Sequence, residues 1–510
     1  MTTHAARSGA DVVIRCPLFR SVGLFCLTLA LGLRSAHAQR ADSLGPEVRK
    51  FVRVMSPRVI LEHVEVIDGT GAPARADRNV TIEDGKISLI ATGADVPQAD
   101  ATTILDLRGY AIVPGIVGMH DHLWSLTRPN LRPDNISDAP VVDRDMTFSA
   151  PRLYLANGVT TIRTAGSMSP YADLNVKRAI ERGALPGPRM DVTGPYLQGP
   201  NPNGALQLPQ LSSPEDARQT VAFWADRGAT SFKAYQNITR DELRAAIDEA
   251  HKRGFKVTGH LCSVTYAEAI ALGIDNLEHG FSANTEHDPD KTPDVCSASG
   301  GDFTLEHMEP GGPDAKRLIA LLISHHVALT STLPLRATSV PGIGSLADGQ
   351  PLREEVRDAM SPGLRDAFDY WYAHPSPTRA TTAMLLRREM ELEREFVAAG
   401  GLLLAGPDPV GLNGLVPGFS DQREIELLVE AGFSPLEAIR IATFNGATFL
   451  GRAREIGSIA VGKHADLVVV KGDPAAHIAD IEHVELVFKD GVGYDPAKLL
   501  ASVKGRYGDY

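Results

Sequence analysis

Two histidines one residue apart, His120 and His122, close an apolar run that begins at Val113. In an extended chain the side chains of residues i and i+2 point to the same face. The pair can therefore present two imidazoles to one point, as a chelated metal ion requires. Two unrelated histidines on a strand are the plain alternative. Four later runs end in comparable chemistry. Thr230-Ser231-Phe232-Lys233 ends in a lysine, and Lys256-Val257-Thr258-Gly259 runs into His260. Asn276-Leu277-Glu278 runs into His279, and Leu402-Leu403-Leu404-Ala405-Gly406 runs into Pro407-Asp408. An unpaired charge at the end of a buried run is costly, so its recurrence points to use. Lys233 also reads as an ordinary lysine at a strand end, and Asp408 as the cap of a following helix.

Strands alternating with helices must position these groups. The expected strands are Ile112–Met119, Val159–Arg163, Arg189–Thr193, Thr230–Lys233, Lys256–Gly259, Asn276–Glu278, Val327–Ser331 and Leu402–Gly406. Helices begin at Ser213-Pro214-Glu215-Asp216, at Thr239-Arg240-Asp241-Glu242 and at Ser434-Pro435-Leu436-Glu437, each with a capping residue at its start. A longer charged amphipathic helix runs from Arg379 to Ala399, and Gly400 ends it. Eight strands with intervening helices predict an α/β fold, a (β/α)8 TIM barrel over residues 111–454, with its site at the C-terminal strand ends. Short strands and turns occupy residues 58–110, including a hairpin turn at Glu83-Asp84-Gly85-Lys86. The same texture returns over residues 455–510. The two ends are expected to form one small β-sandwich, with residues 39–57 as a linker. His325 and His326 precede the seventh strand and belong away from the active face. His464 reads as structural.

The whole chain sets further bounds. With 510 residues it exceeds one ordinary core, and 43% hydrophobic with 22% charged residues describes a globular protein. A formal charge of −12 argues against nucleic acid and against an anionic membrane surface. Arg7, Arg15 and Arg20 precede the apolar run Val22–Leu33, and Ala36-His37-Ala38 matches a small-x-small cleavage site. Residues 1–38 are read as an export signal, which places the mature chain in the periplasm or outside the cell. Cleavage leaves Cys262 and Cys296, read as two free or partly buried thiols, with a disulfide in an oxidising compartment as the alternative. No other run is long enough to span a membrane.

The ordered set Pro-Gly-x-x-x-x-His-Asp-His, strand-ending lysine, Gly-His, Glu-His-Gly and Gly-x-Asp resembles the metal-dependent amidohydrolase superfamily. More narrowly, it resembles the imidazolonepropionase-like and prolidase-like (Xaa-Pro dipeptidase-type) branch. The likeness runs from Arg58 to the last strands, and Val461-Gly462-Lys463-His464-Ala465-Asp466-Leu467 is similar to the family's closing strand. The resemblance implies two divalent metal ions. His120, His122 and Asp408 would hold one, and His260 and His279 the other. Lys233, carboxylated by carbon dioxide, would bridge them. Imidazole nitrogens and carboxylate-type oxygens suit zinc. The implied reaction is attack on an amide carbonyl by a hydroxide shared between the ions, with Asp408 as the proton shuttle.

Tyr235, two residues past Lys233, can donate to the substrate or to an oxyanion, or simply pack at the barrel mouth. Arg163, at the end of the second strand, can pair with a substrate carboxylate or hold a buried structural charge. The loop Leu123–Ala150 is long enough to wall the site. The expected substrate is a small amide, a dipeptide or an N-acyl amino acid. Cyclic amides, lactams, other C–N bonds and esters are alternatives for the same site. A metal-binding or partner-binding barrel without catalysis is the non-enzymatic one. A homo-oligomer is compatible with all of these.

Overall fold

Gly115 divides the apolar run that leads to His120. In the computed structural model, Tyr110–Pro114 and Ile116–Asp121 are separate strands in different sheets. The expected first strand, Ile112–Met119, is thus two strands. Any side chain at position 115 would collide with Thr160, so glycine alone lets the chain cross here. The structure describes residues 43–93, 102–127, 142–200, 208–338, 353–373, 379–411 and 414–508. The expected export signal lies outside the described residues, as do residues 128–141, half of the loop after His122.

The barrel strands are β1 (Ile116–Asp121), β2 (Val159–Thr164), β3 (Arg189–Leu197), β4 (Ser231–Ala234), β5 (Lys256–Gly259), β6 (Asn276–Glu278), β7 (Ala328–Ser331) and β8 (Leu403–Ala405). They form one eight-stranded sheet in sequential order, and each neighbouring pair is parallel. Past β8 the chain returns to β1. Gly406 packs on the His120 backbone, and the Asp408 N–H donates to His120 O at 3.0 Å. Alternation sets the orientation of each strand. Phe232, Val257, Leu277, Leu329 and Leu403 are fully buried in one apolar cluster with the surrounding helices. Each such side chain contributes about 1.5–3 kcal/mol by leaving water. Burying them outward turns Lys233, Thr258, Glu278 and Thr330 into the barrel.

Expected helix starts are present. Thr239 and Ser434 form capping boxes with Glu242 and Glu437, and Ser213 accepts from Asp216 N–H. β3 extends four residues beyond its expected end at Thr193. It passes through Gly194-Pro195 with a register shift against β4.

Both chain ends share a nine-stranded sheet, among the described residues. Its central strand Arg58–Val66 pairs with Arg75–Glu83, Thr102–Asp106 and Tyr110–Pro114. Tyr110–Pro114 in turn pairs antiparallel with Leu467–Lys471 from the far end. The sheet curls over its own cluster, which includes Val59, Leu61, Val80, Ile112, Leu467 and Phe488. The turn Asp84-Gly85 has φ of 48° and 81° at its two residues, the left-handed pair a tight hairpin requires. Residues expected as a linker carry structure: Pro46–Arg49 is helical, and Val52–Val54 joins this sheet beside Val492–Tyr494.

Cys262 and Cys296 are disulfide-bonded, with Cα atoms 4.8 Å apart, and are not the two separate thiols expected. The loop after β6 folds back beside the residues after β5, where Thr285 Oγ1 donates to Cys262 O at 2.8 Å. Thirty-four residues of sequence hide that approach. Among the described residues, no helix is long and apolar enough to cross a membrane.

Candidate metal centre and active site

The ends of β1, β4, β5, β6 and β8 bring six side chains to one rim. Asp408 Oδ1 lies 3.0 Å from His122 Nε2 and 3.6 Å from His120 Nε2. Lys233 Nζ is 3.0 Å from the same His120 nitrogen. The His120 ring is centred 4.7 Å from that of His279, which is centred 4.2 Å from His260. Potential ligand atoms of His120, His279 and Asp408 all lie within 4.8 Å of one another. That trio crosses the division into two ligand sets that the resemblance implied.

Two of these residues sit in the left-handed region, His279 at φ 63° and Asp408 at φ 55°. Such backbone costs about 1–3 kcal/mol for a residue with a side chain and collects at functional sites. Gly280 follows His279, and a side chain there would strike the Glu389 carboxylate. Pro407 and Pro409 flank Asp408 and restrict its direction.

Beneath the rim a polar layer fills the barrel. Glu278 takes three donors: His120 Nδ1 at 2.9 Å, Arg163 Nη2 at 2.7 Å, and the Thr258 hydroxyl. Arg163 also donates to Met119 O at 2.8 Å and to Asn276 Oδ1 at 2.8 Å. Arg163 is fully buried and its donors are committed to the barrel interior, so it is not the substrate contact expected. A strand-end arginine can face the rim or the core, and the acceptors on β6 turn this one inward. Glu278 was legible only as part of the Glu-His-Gly motif. It lies two residues from Asn276, so both side chains face inward toward Arg163.

The electrostatics follow from burial. Burial pulls Lys233 down to about 8, against the opposing pull of Glu278 and Asp408. Burial takes His122 to about 4 and His260 to about 3, with Lys233 adding to the second shift. Burial pushes Asp408 up, but His120 and His122 outweigh it and hold the carboxyl well below its usual range. Burial likewise opposes ionisation of Glu278, and Arg163 and His120 overcome it. The rim thus holds His122 and His260 neutral and Asp408 ionised, the protonation states that bind a cation.

The residues fit a metal. His279 Nδ1 lies 3.0 Å from Thr332 Oγ1, while its buried Nε2 has no hydrogen-bond partner among the described residues. Buried polar atoms are nearly always satisfied, so this one marks a place for a ligand. In the same way Glu278 takes His120 Nδ1 and leaves Nε2 for the rim. Tyr235 lies beside the rim. Its ring is centred 5.1 Å from His260 and 4.8 Å from Tyr196, and burial keeps its phenol protonated. Tyr196, on the part of β3 hidden by Gly194-Pro195, has its ring centred 5.4 Å from Lys233 Nζ. Gln236 Nε2 lies 3.2 Å from His260 Nε2. His325 and His326 are exposed before β7, away from the rim, and His464 lies in the sheet module beside Asp490.

A cavity of about 390 Å³ reaches the rim at His260 and His279. Its wall includes Thr332, Arg336, Asp302 and Glu389, and the size suits a small organic ligand. Of the loop expected to wall the site, the described parts form a two-stranded ribbon, Trp124–Thr127 with Val142–Asp145.

A parallel eight-stranded barrel whose strand ends gather imidazoles, a lysine and an aspartate defines a class of metal-assisted hydrolases. The chain belongs to the amidohydrolase family, whose match spans residues 111–493. It is a hydrolase acting on carbon–nitrogen bonds. It is 24% identical to the imidazolonepropionase of Sphingopyxis alaskensis over 82% of this chain and 90% of that protein. The solved structure of a Xaa-Pro dipeptidase with bound methionine matches with a TM-score of 0.62 and 22% identity, covering 86% of this chain and all of that one. The bottromycin amidohydrolase matches with a TM-score of 0.63 and 20% identity, over 92% and 97% of the two chains.

Proposed function

We propose that this protein is an exported, metal-dependent amidohydrolase that cleaves the amide bond of a dipeptide or an N-acyl amino acid. One observation carries the proposal: Asp408 Oδ1 lies within reach of both His120 and His122, at a rim shared with Lys233, His260 and His279. His120, His122 and Asp408 would hold one ion, His260 and His279 a second. Lys233 would bridge them as a carbamate. Its amine, drawn to about 8 by burial, is partly neutral at physiological pH and so can capture carbon dioxide. Bound zinc would polarise the carbonyl and lower the pKa of the attacking water.

The chain's own residues do the rest. Asp408 accepts the proton of the attacking water and returns it to the leaving nitrogen. The Tyr235 hydroxyl has no partner among the described residues and is positioned to donate to the carbonyl oxygen as charge develops there. Arg163 and Glu278 hold His120 in one tautomer. The amide chemistry named in the imidazolonepropionase relative and the dipeptidase neighbour supports the reading. The Cys262–Cys296 bond supports export, since disulfides persist in oxidising compartments.

The test is a library of dipeptides, N-acyl amino acids and cyclic amides, presented to zinc-reconstituted protein with metal analysis alongside. Hydrolysis confined to a few related acyl amino acids is expected, and lost when chelation strips the ions. Turnover that survives proven metal loss overturns the scheme. Metal binding with no hydrolysis in any arm points to a non-catalytic barrel.

A further inference from the structure

Arg336 is the cationic side chain on the cavity wall, and nothing above gives it a task. It lies on the short helix Leu333–Ala337 that follows β7, one turn beyond Thr332. Thr332 touches His279, so the turn that orients a rim imidazole also carries the arginine. Arg336 Nη2 donates to Asp302 Oδ1 at 2.9 Å. Its Nε and Nη1 have no protein acceptor among the described residues. The Asp302 side chain is 56% exposed and that of Arg336 20%. A pair this open to water aims the guanidinium without cancelling it.

The wall that presents Asp302 is rigid. Asp288 gathers the preceding loop by accepting from Ser299 Oγ at 2.7 Å, Gly301 N–H at 2.9 Å and Thr304 N–H at 2.9 Å. The Cys262–Cys296 bond ties the same loop to the chain two residues past His260. The pocket wall and the rim are thus held in one frame, which lowers the cost of ordering a bound ligand.

We propose that Arg336 is the carboxylate anchor of this cavity, and that it selects substrates whose amino-acid part carries a free α-carboxylate. The inference rests on the amide-hydrolase reading above and names the substrate class of that site. Beyond the hydrogen given to Asp302, the planar guanidinium keeps one edge of two parallel N–H groups, which matches the two oxygens of a carboxylate. Asp302 stands on the same wall and disfavours a dianion, so a singly charged carboxylate fits better than a phosphate. Ala283, Leu333 and Leu335 give the cavity an apolar side that suits an aliphatic side chain.

The test measures binding, which does not depend on turnover. Zinc-reconstituted protein is titrated calorimetrically with N-acetyl-L-leucine and with N-acetyl-L-leucinamide. The acid is expected to bind about 30-fold tighter than the amide, the scale of a lost charge-assisted pair. In Arg336→Gln the preference falls to about threefold or less, through weaker binding of the acid alone. Arg336→Lys keeps the charge and loses the fork, so an intermediate preference is expected. This variant decides the matter if Arg336→Gln unfolds. An unchanged preference in either folded variant overturns the anchor, as does a wild type that binds neither ligand or both alike. Discrimination without hydrolysis of any amide sinks the hydrolase reading and leaves the anchor. Hydrolysis that ignores the carboxylate does the reverse.

Discussion

Asp408 holds a left-handed backbone at φ 55° between two prolines, and its oxygen faces two imidazoles. Asparagine tolerates the same backbone, so Asp408→Asn removes the charge and spares the fold. Turnover is expected to fall about 10²–10⁴-fold, as for loss of a positioned acid–base group. Circular dichroism and metal analysis alongside the assay separate this from unfolding, and full activity in a folded variant would remove the shuttle. Glu278 offers a second test at this scale, because it never reaches the rim. With side-chain exposures of 0% for Glu278 and 1% for Arg163, their pair is sealed from water. Glu278→Gln leaves the guanidinium without its counter-charge and His120 without its ionic partner. A loss of about 3–5 kcal/mol in urea unfolding is expected. Zinc affinity should drop about 10–100-fold in competition titrations. Unaltered affinity would mean that His120 does not need its carboxylate.

The strands β4, β5 and β6 were legible because each is a short run between helix signals that leads into a residue of use. β3 was half hidden because Gly194-Pro195 reads as a breaker, and Tyr196 was lost with it. The helix Arg379–Ala398 misled in another way. Its charges suggest a solvated face, yet Glu389 and Glu393 are 4% and 0% exposed. Sequence periodicity cannot show that Ser331, Ser282 and the Phe281 N–H wait opposite them. Glu424, on the neighbouring helix Phe419–Glu430, is buried on the same side, and burial pushes it up to about 8, as it pushes Glu389 to about 7. Both pKa values are raised on folding, so the folded state holds protons that the unfolded chain releases. Their contribution is complete below the ordinary carboxyl value of 4.5 and is lost as pH rises through about 7 to 8. The buried rim histidines act in the opposite sense on acidification, so the informative quantity is the difference between two proteins. Glu424→Gln, which mimics the protonated form, is expected to match the wild type in Tm near pH 5 and exceed it by pH 8. A constant difference across that range would show that Glu424 does not titrate there.

At the scale of the molecule, the barrel is held to a sheet that neither chain end can build alone. The first residues of the barrel follow directly from Tyr110–Pro114, which is zipped to Leu467–Lys471 more than 350 residues later. Such pairing was foreseeable from matching strand texture at the two ends, but its interleaved order was not, because register across that separation leaves no local signal. The lock between the parts is ionic. Arg189, at the start of β3, lies 2.7 Å from both Asp466 and Asp490, whose side chains are 2% and 6% exposed. These contacts sit at the N-terminal strand ends, opposite the rim, so they bear on stability and not on chemistry. In Arg189→Met two buried carboxylates lose their main counter-charge, and Lys489, 3.4 Å from Asp490, is the buried cation that remains beside them. A destabilisation of about 3–5 kcal/mol is expected. Because β1 continues covalently into the sheet, the loss should lower a single cooperative unfolding transition. The kcat of the folded variant should stay at the wild-type value. An early transition that splits off, with the barrel melting at its original temperature, would show that the sheet folds as an independent appendage.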